Sequence, residues 1–207
     1  MNPIEIAVFA KAPVAGAAKT RLIPRLGAQR AADLHGALVE HCVGVASAAG
    51  LGPVTLWCAP DASHPFLADC ARRHGAGLAA QCAGDLGARM LGAFAARSPL
   101  LLMGADCPSI GAPDLRACAQ ALADGADAVF LPAEDGGYGL VGASRALPAL
   151  FADMRWGVDS VMEETRKRLR QHGLAWREGR TIWDVDRAED YERLVAQNVL
   201  GALWRDP

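Results

Sequence analysis

The chain has 207 residues, and its 21 Lys and Arg residues nearly balance 23 Asp and Glu residues, giving a formal net charge of -2. This balance gives no global reason to expect a nucleic acid or an anionic membrane surface as partner. No apolar segment approaches the ~18 residues that span a bilayer, no amino-terminal signal is visible, and six cysteines occur without a Cys-x-x-Cys pair. We therefore expect a cytoplasmic protein with reduced thiols.

Short apolar runs alternate with longer helical stretches, which is the pattern of doubly wound α/β proteins. Strands are predicted over residues 4–10, 53–59, 77–81, 99–104, 126–132, 138–143 and 174–177. Helices are predicted over residues 28–49, 64–74, 86–96, 113–123, 158–172 and 187–204. The strands around residue 135 are joined by a turn too short for a crossover helix, so this pair should be antiparallel or diverging. The sequence thus predicts an α/β three-layer sandwich with a mostly parallel mixed sheet, in one domain over residues 1–207.

The loop from Lys11 to Arg21 joins the first predicted strand to the first long helix and contains Gly16 and Lys19. It has neither GxGxxG nor GxxxxGKS/T, which argues against a nicotinamide-dependent oxidoreductase. At this position backbone N–H groups and basic side chains converge on the ligand edge of the sheet. We therefore predict phosphate binding by Lys19 and Arg21, whereas Lys11 fits phosphate binding and a solvated surface turn equally well.

Asp106 directly follows the apolar run at 100–104, where a buried strand of a parallel sheet would leave the core. Ligands of open α/β sheets bind outside such strand ends, and an anion there is costly without a partner. The position favours a divalent metal on Asp106 over a merely structural role in the turn before Pro108. Two further acids, Asp184 and Asp186, are candidate metal ligands near the carboxyl terminus.

Six stretches, in order along nearly the whole chain, resemble the DUF2064 group of GT-A-type nucleotide-diphospho-sugar transferases, which is related to the guanylyltransferases of cofactor biosynthesis. They are residues 9–13 with 19–22, 84–90, 104–108, 135–142, 156–160 and 184–186. The resemblance implies that Asp106 holds a divalent metal, Mg²⁺ or Mn²⁺, on a diphosphate and that the carboxyl-terminal acids supply a second ligand. It also implies that the first loop and the segment 84–90 contact the nucleotide.

Each remaining candidate has a structural alternative. Asp85 and Arg89 could contact the nucleotide, or serve as a helix cap and its i,i+4 partner. Asp186 could cap the last helix together with Glu189, and the five histidines show no ligand spacing and receive no chemical role. A hairpin turn and a loop are the candidate sugar or acceptor contacts, through Gly136, Gly137, Tyr138, Trp156 and Asp159, although a plain turn and a helix cap would also explain them.

Together these features favour a metal-dependent glycosyltransferase that uses a nucleotide-sugar donor and a small-molecule acceptor, with Asp106, Lys19 and Arg21 as its catalytic residues. The alternative is a nucleotidylyltransferase that takes a nucleoside triphosphate and releases pyrophosphate. A second alternative is a nucleotide-binding module without turnover. The donor base, the acceptor and the oligomeric state are left open.

Overall fold

The computed structural model describes residues 3–205 and contains one seven-stranded sheet. Its strands are β1 (Glu5–Lys11), β2 (Val54–Ala59), β3 (Gly77–Ala80), β4 (Leu100–Gly104), β5 (Ala128–Pro132), β6 (Tyr138–Ala143) and β7 (Trp176–Glu178). The α-helices are α1 (Ile23–Leu26), α2 (Ala28–Ala49), α3 (Pro65–His74), α4 (Leu86–Ala96), α5 (Ala112–Ala123), α6 (Pro148–Phe151), α7 (Val161–Gln171) and α8 (Ala188–Ala196). Within the described segment no helix is long and apolar enough to cross a membrane.

The strand order is β3-β2-β1-β4-β6-β5-β7. β6 runs antiparallel to both of its neighbours, β4 and β5, whereas the other four strand pairs are parallel. The predicted antiparallel pair on either side of the 134–137 turn is therefore confirmed. The α/β class and the mostly parallel mixed sheet are confirmed as well.

The sheet is covered by helices on both faces, which explains why its central strands are apolar at nearly every position. Along β1, Ile6 and Val8 point into a core shared with α2, α3 and α5. The alternate residues, Ala7 and Phe9, point into a second core shared with α4, α6 and α7. Two cores on opposite faces of one sheet form the three-layer arrangement.

The last predicted helix, 187–204, is corrected by the structure, because α8 ends at Ala196. Asn198 then adopts a left-handed conformation with φ 48°, which an α-helix cannot continue. The break turns the chain back, so that Leu200 and Trp204 pack against Tyr191 and α2. Burial of these side chains overrides the helical pattern of the sequence.

The predicted cap of α8 by Asp186 and Glu189 is also wrong. The Asp190 carboxylate instead accepts hydrogen bonds from the backbone N–H groups of Arg187 and Asp186, at 2.7 and 3.0 Å. The Asp186 carboxylate is thereby left available for other contacts.

The carboxyl ends of the parallel strands lie at one edge, and backbone hydrogen bonds hold the segments that leave them together. The Ala105 N–H donates to the Phe9 carbonyl at 3.0 Å, and the Val185 N–H donates to the Asp106 carbonyl at 2.9 Å. The Glu134 N–H donates to the Ile182 carbonyl at 3.0 Å. These bonds bring together the segments that follow β1, β4, β5 and β7, which are distant in sequence. Each of these segments has a charged residue.

Candidate functional site

A cleft of about 600 Å³ opens at this edge of the sheet. Its charged lining combines four basic side chains with four acidic ones, namely Lys11, Lys19, Arg21 and Arg89 with Asp106, Asp135, Asp184 and Asp186. One wall is aromatic and contains Tyr138 and Trp156. The cleft therefore contains basic groups that can bind anions and acidic groups that can bind cations.

Lys19 and Asp106 form an ion pair at the floor of the cleft, with 3.3 Å between Lys19 Nζ and Asp106 Oδ2. The Lys19 side chain is only 7% exposed, whereas that of Asp106 is 43% exposed and faces the opening. Gly104 lies beside them, and a Cβ there would lie 2.6 Å from Asp106 Oδ1, so a larger residue would displace this carboxylate. Burial pushes the pKa of Asp106 upward, but Lys19 outweighs it and the pKa lies below its ordinary value. Asp106 is thus a carboxylate whose Oδ2 pairs with Lys19 and whose Oδ1 accepts from the Cys107 thiol, 3.6 Å from Sγ, while part of the group is open to solvent.

Asp184 lines the same cleft, and the negative charges of nearby carboxylates disfavour its ionised form. Burial, followed by the charges of Asp106 and Asp135, raises the pKa of Asp184 to about 6. A divalent cation would offset this repulsion, and carboxylate oxygens are the ligands that hard cations prefer. The donor set therefore fits such a cation. Over residues 3–205, however, no three potential ligand atoms of the cleft lie within 4.8 Å of one another.

Arg21 reaches across the mouth of the cleft and donates to the Asp186 carboxylate. Both side chains are exposed, so water screens this pair and its contribution to stability is small. Arg21 belongs to a short 3₁₀ turn, Thr20–Leu22, whose first flanking residue, Lys19, has φ 46°. This turn directs two successive cations of the first loop toward two different acids.

Tyr138 and Trp156 form the aromatic wall, with their ring centroids 6.4 Å apart and their planes nearly perpendicular. Phe130 supports Tyr138 from behind, with 5.3 Å between ring centroids. Burial raises the pKa of the Tyr138 hydroxyl far above its ordinary value, so that it stays protonated as a donor. The buried Trp156 Nε1–H has no hydrogen-bond partner among the residues described. This N–H lies beside Gly87 of α4, where a Cβ would lie 3.0 Å from Nε1, so it is not exposed to the cleft. The wall therefore offers flat apolar area with the Tyr138 hydroxyl as its polar group.

Several predicted site residues do not line the cleft. Asp85 caps α4 by accepting from the Ala88 N–H at 2.8 Å, as the structural alternative predicts. Gly16 lies in the exposed part of the first loop, and the Asp159 side chain is exposed outside the cleft. Gly136 packs against the Asp159 backbone and does not line the cleft. The other predicted residues, including Lys11, Arg89 and Gly137, line it.

His35 is a cleft residue that the sequence analysis left without a role. It lies on α2 and is buried, with 3.0 Å between its Nε2 and the Lys11 carbonyl oxygen. Burial, with a further contribution from the Lys19 charge, lowers its pKa to about 4, so it is neutral at pH 7. A neutral imidazole that donates from Nε2 holds the end of β1 in place. No sequence pattern marks His35 as a cleft residue, because a single His on a helix face has no characteristic spacing.

The chain matches the family model DUF2064, an "uncharacterized protein conserved in bacteria", over residues 42–158. A Desulfovibrio desulfuricans G20 structure, named as a candidate nucleotide-diphospho-sugar transferase, is 29% identical, with TM-score 0.85, covering 100% of this chain and 92% of that chain. A cytidylyltransferase from Leptospira borgpetersenii is 14% identical, with TM-score 0.63, covering 92% of this chain and 84% of that chain. Glucosyl-3-phosphoglycerate synthase from Mycobacterium tuberculosis, solved with Mn²⁺ and UDP, is 13% identical, with TM-score 0.57, covering 96% of this chain and 77% of that chain.

The last two likenesses, at such low identity, show the fold alone, and no curated protein matches the chain. The family model, by contrast, covers more than half of the 207 residues. The family expected from the six sequence stretches is thereby confirmed: the chain belongs to the DUF2064 family.

Proposed function

We propose that this protein is a metal-dependent glycosyltransferase that takes a nucleotide-sugar donor and a small-molecule acceptor. The observation that carries the proposal is the joint lining of one cleft by Lys19 and Arg21, by the carboxylates Asp106 and Asp184, and by an aromatic wall. A nucleotide-sugar needs all three, namely cations for its diphosphate, carboxylates for the accompanying metal and a flat surface for its sugar ring. The name of the Desulfovibrio relative points to the same class of donor.

The diphosphate would lie between the first loop and the strand ends. Lys19 and Arg21 would each donate charge-assisted hydrogen bonds to phosphate oxygens, and Lys11 and Arg89 extend the same lining toward the nucleoside. Asp106 and Asp184 would hold Mg²⁺ or Mn²⁺, with Asp186 at the mouth as a further carboxylate. Such a cation neutralises the diphosphate leaving group when bound.

The sugar would pack against Tyr138 and Trp156. Their rings offer an apolar surface, and the Tyr138 hydroxyl would donate to a sugar hydroxyl group. Gly137 lines the cleft beside them and allows close approach of the backbone. The aromatic wall thus orients the sugar, while Lys19 and Arg21 stabilise the charge that develops on the departing diphosphate.

Product analysis distinguishes this reaction from its nearest alternative. With a panel of nucleotide-sugars, Mn²⁺ and candidate acceptors, we expect phosphorus NMR to detect a nucleoside diphosphate as the released product. Pyrophosphate release from GTP or UTP, with no diphosphate from any nucleotide-sugar, would instead establish a nucleotidylyltransferase. The adjacent cations Lys19 and Arg21 favour this second candidate, because two positive groups suit a triphosphate.

The aromatic wall provides a second test. Tyr138→Ala should impair use of the sugar donor much more than binding of the bare nucleoside diphosphate, because the ring would contact only the sugar. Tyr138→Phe keeps the ring and should retain most sugar binding, which controls for the cavity that Tyr138→Ala leaves beside Phe130. Equal losses for sugar donor and diphosphate would contradict the proposed place of the sugar.

A further inference from the structure

A cluster of three potential metal ligands lies outside the cleft lining, where α2 packs against α3. Its members are Glu40 on α2 and Cys70 and His74 on α3, and their ligand atoms all lie within 4.8 Å of one another. His74 ends α3 just before β3 begins at Gly77. The cluster therefore lies in the helix layer on one face of the sheet, and none of its three members lines the cleft.

The three side chains converge for reasons of helix geometry. Cys70 and His74 are four residues apart, so they share one face of α3, and Glu40 meets them from the neighbouring helix. The distance between His74 Nε2 and Glu40 Oε1 is 2.7 Å. Cys70 is fully buried, whereas the side chains of Glu40 and His74 are 15% and 24% exposed. The cluster thus has one ligand inside the protein, Cys70, and two at the surface, Glu40 and His74, where solvent can reach it.

We propose that Glu40, Cys70 and His74 form a zinc site. A thiolate, an imidazole and a carboxylate are the three side-chain ligands that zinc uses in proteins, with water free to take the fourth position. Bond lengths of about 2.0 Å to N or O and 2.3 Å to S place the tetrahedral ligand atoms of such a site ~3.3–3.6 Å apart. The hydrogen-bonded His74 and Glu40 atoms need to separate by less than about 1 Å to reach this spacing.

Arg73 is the main competitor for such a metal. Its guanidinium donates to both oxygens of Glu40 and also to the neighbouring Asp69. A bound metal would displace Arg73 from Glu40, and Asp69 is in place to keep the guanidinium paired. Binding also displaces the thiol proton of Cys70 to solvent, and no electron is transferred.

Cobalt provides the test, because Co²⁺ takes the same tetrahedral ligands and gives a sulfur-to-cobalt charge-transfer band when a thiolate binds it. Titration of metal-free full-length protein should give this band, saturating at one thiolate-bound Co²⁺ per chain apart from Co²⁺ at the cleft carboxylates, and Zn²⁺ should abolish the band. The band should vanish in Cys70→Ser and persist in Cys107→Ser, which removes the buried thiol that borders the cleft.

Variants at the partly exposed ligands separate a site from a folding defect. Glu40→Gln and His74→Gln should each weaken Co²⁺ binding more than about tenfold, with the circular dichroism spectrum unchanged. Arg73→Ala should tighten binding by about tenfold, because a positive charge next to the metal is removed. A missing band in the wild-type protein, a band that survives in Cys70→Ser, or unchanged affinity in Arg73→Ala would overturn the proposal and leave a hydrogen-bonded network between two helices.

Discussion

Lys19 is the cleft residue whose contribution to binding can be measured most directly. Its side chain is almost fully buried and its Nζ lies 3.3 Å from Asp106, so a ligand phosphate would meet a cation that is already held in place. Lys19→Ala should weaken binding of a nucleoside diphosphate by about 1–3 kcal/mol. Binding of the free nucleoside should change little, because it has no phosphate for the lysine to contact.

Isothermal titration calorimetry with the nucleoside and the diphosphate measures both effects. Lys167→Ala is the matched control, since Lys167 pairs with Glu164 on the exposed face of α7 and is absent from the cleft lining. Equal losses for nucleoside and diphosphate in Lys19→Ala would mean that the first loop shapes the base pocket instead.

Asp106→Asn tests the proposed metal ligand. Its partner Lys19 is almost fully buried, so removal of the Asp106 charge leaves that cation without its counter-ion and should lower the free energy of unfolding by about 1–3 kcal/mol. Metal-dependent nucleotide binding should also be lost, because a neutral amide is a poor ligand for Mg²⁺ or Mn²⁺. Nucleotide affinity measured with and without Mn²⁺ tests this, and a variant with unchanged metal dependence would exclude Asp106 as a ligand.

At the scale of elements, Asp114 connects α5 to the segment that leaves β7. Its carboxylate accepts from the Gly111 N–H at 2.8 Å and from two nitrogens of Arg180 at 2.8 and 2.9 Å. Burial raises the pKa of Asp114, but the bonds from Arg180 and Gly111 outweigh it and the pKa lies below 3.8. A carboxyl whose pKa is lowered by folding stabilises the protein above its ordinary pKa, and this stability is lost as the pH falls through the folded value.

Asp114→Asn should therefore destabilise the protein by about 1 kcal/mol at neutral pH. The difference from the wild-type protein should shrink between about pH 5 and pH 2. Urea denaturation over this range measures both quantities. Asp33→Asn, on the exposed side of α2, is the control and should change stability by less than about 0.5 kcal/mol. A difference that stayed constant with pH would show that the charge of Asp114 is not its stabilising feature.

The turn between β5 and β6 is fixed against the loop before α7 by close packing. A Cβ at Gly136 would lie 1.9 Å from the Asp159 carbonyl oxygen, and the Gly136 carbonyl accepts from the Met162 N–H at 2.9 Å. Gly157 has a similar positive φ, but a Cβ there would meet nothing within 4 Å. Both Gly→Ala variants share the left-handed strain of about 1–2 kcal/mol. Gly136→Ala should lower the free energy of unfolding by a further ~1–3 kcal/mol, because the backbone at Asp159 or at the turn must move to make room for the Cβ.

Equilibrium unfolding in urea compares the two variants directly. Gly136→Ala should also weaken binding of the nucleotide-sugar, because the displaced turn carries Gly137 and Tyr138 away from Trp156. Equal stability of the two variants would contradict a tight contact between the turn and the loop.

Elements with a clear hydrophobic pattern could be predicted from the sequence. All seven strands and six helices occur where apolar runs and amphipathic stretches predict them, because burial on one or both faces dictates those patterns. α1 and α6 were not predicted, since four residues are too few to show a period of 3.6. The bend after α8 was missed because the buried contacts of Leu200 and Trp204 with Tyr191 and α2 are long-range and override the local pattern.

For the whole molecule, the order of the strands and their parallel direction predict the edge of the sheet at which the site lies. They do not predict which side chains contact one another there. Asp106 could be predicted at the ligand edge because it follows a buried strand. Its pairing with Lys19, 87 residues away, depends on which side β1 takes beside β4, and no local pattern encodes that. The cluster of Glu40, Cys70 and His74 was missed for the same reason, since it joins two helices through tertiary packing alone.

A single domain over residues 1–207 remains a prediction. The two main cores lie on opposite faces of the same sheet, and α2 belongs both to one of them and to the third core with α8. Loss of packing in one core would expose apolar side chains of another, because the cores share the sheet and α2. Unfolding should therefore be one cooperative transition. Far-ultraviolet circular dichroism and the fluorescence of the five tryptophans should give coincident curves in urea. Separate midpoints would indicate two folding units.

Ligand binding at the cleft should stabilise this whole unit, because its lining comes from the loops after β1, β4, β5 and β7. A ligand at 100 times its Kd adds about 2.7 kcal/mol to the free energy of unfolding. For a chain of this length that raises Tm by roughly 5–10 °C. We expect this shift with UDP or GDP together with Mn²⁺, a much smaller one with either alone, and none in Asp106→Asn. A full shift with nucleotide in the absence of metal would contradict a site in which Asp106 and Asp184 act through a divalent cation.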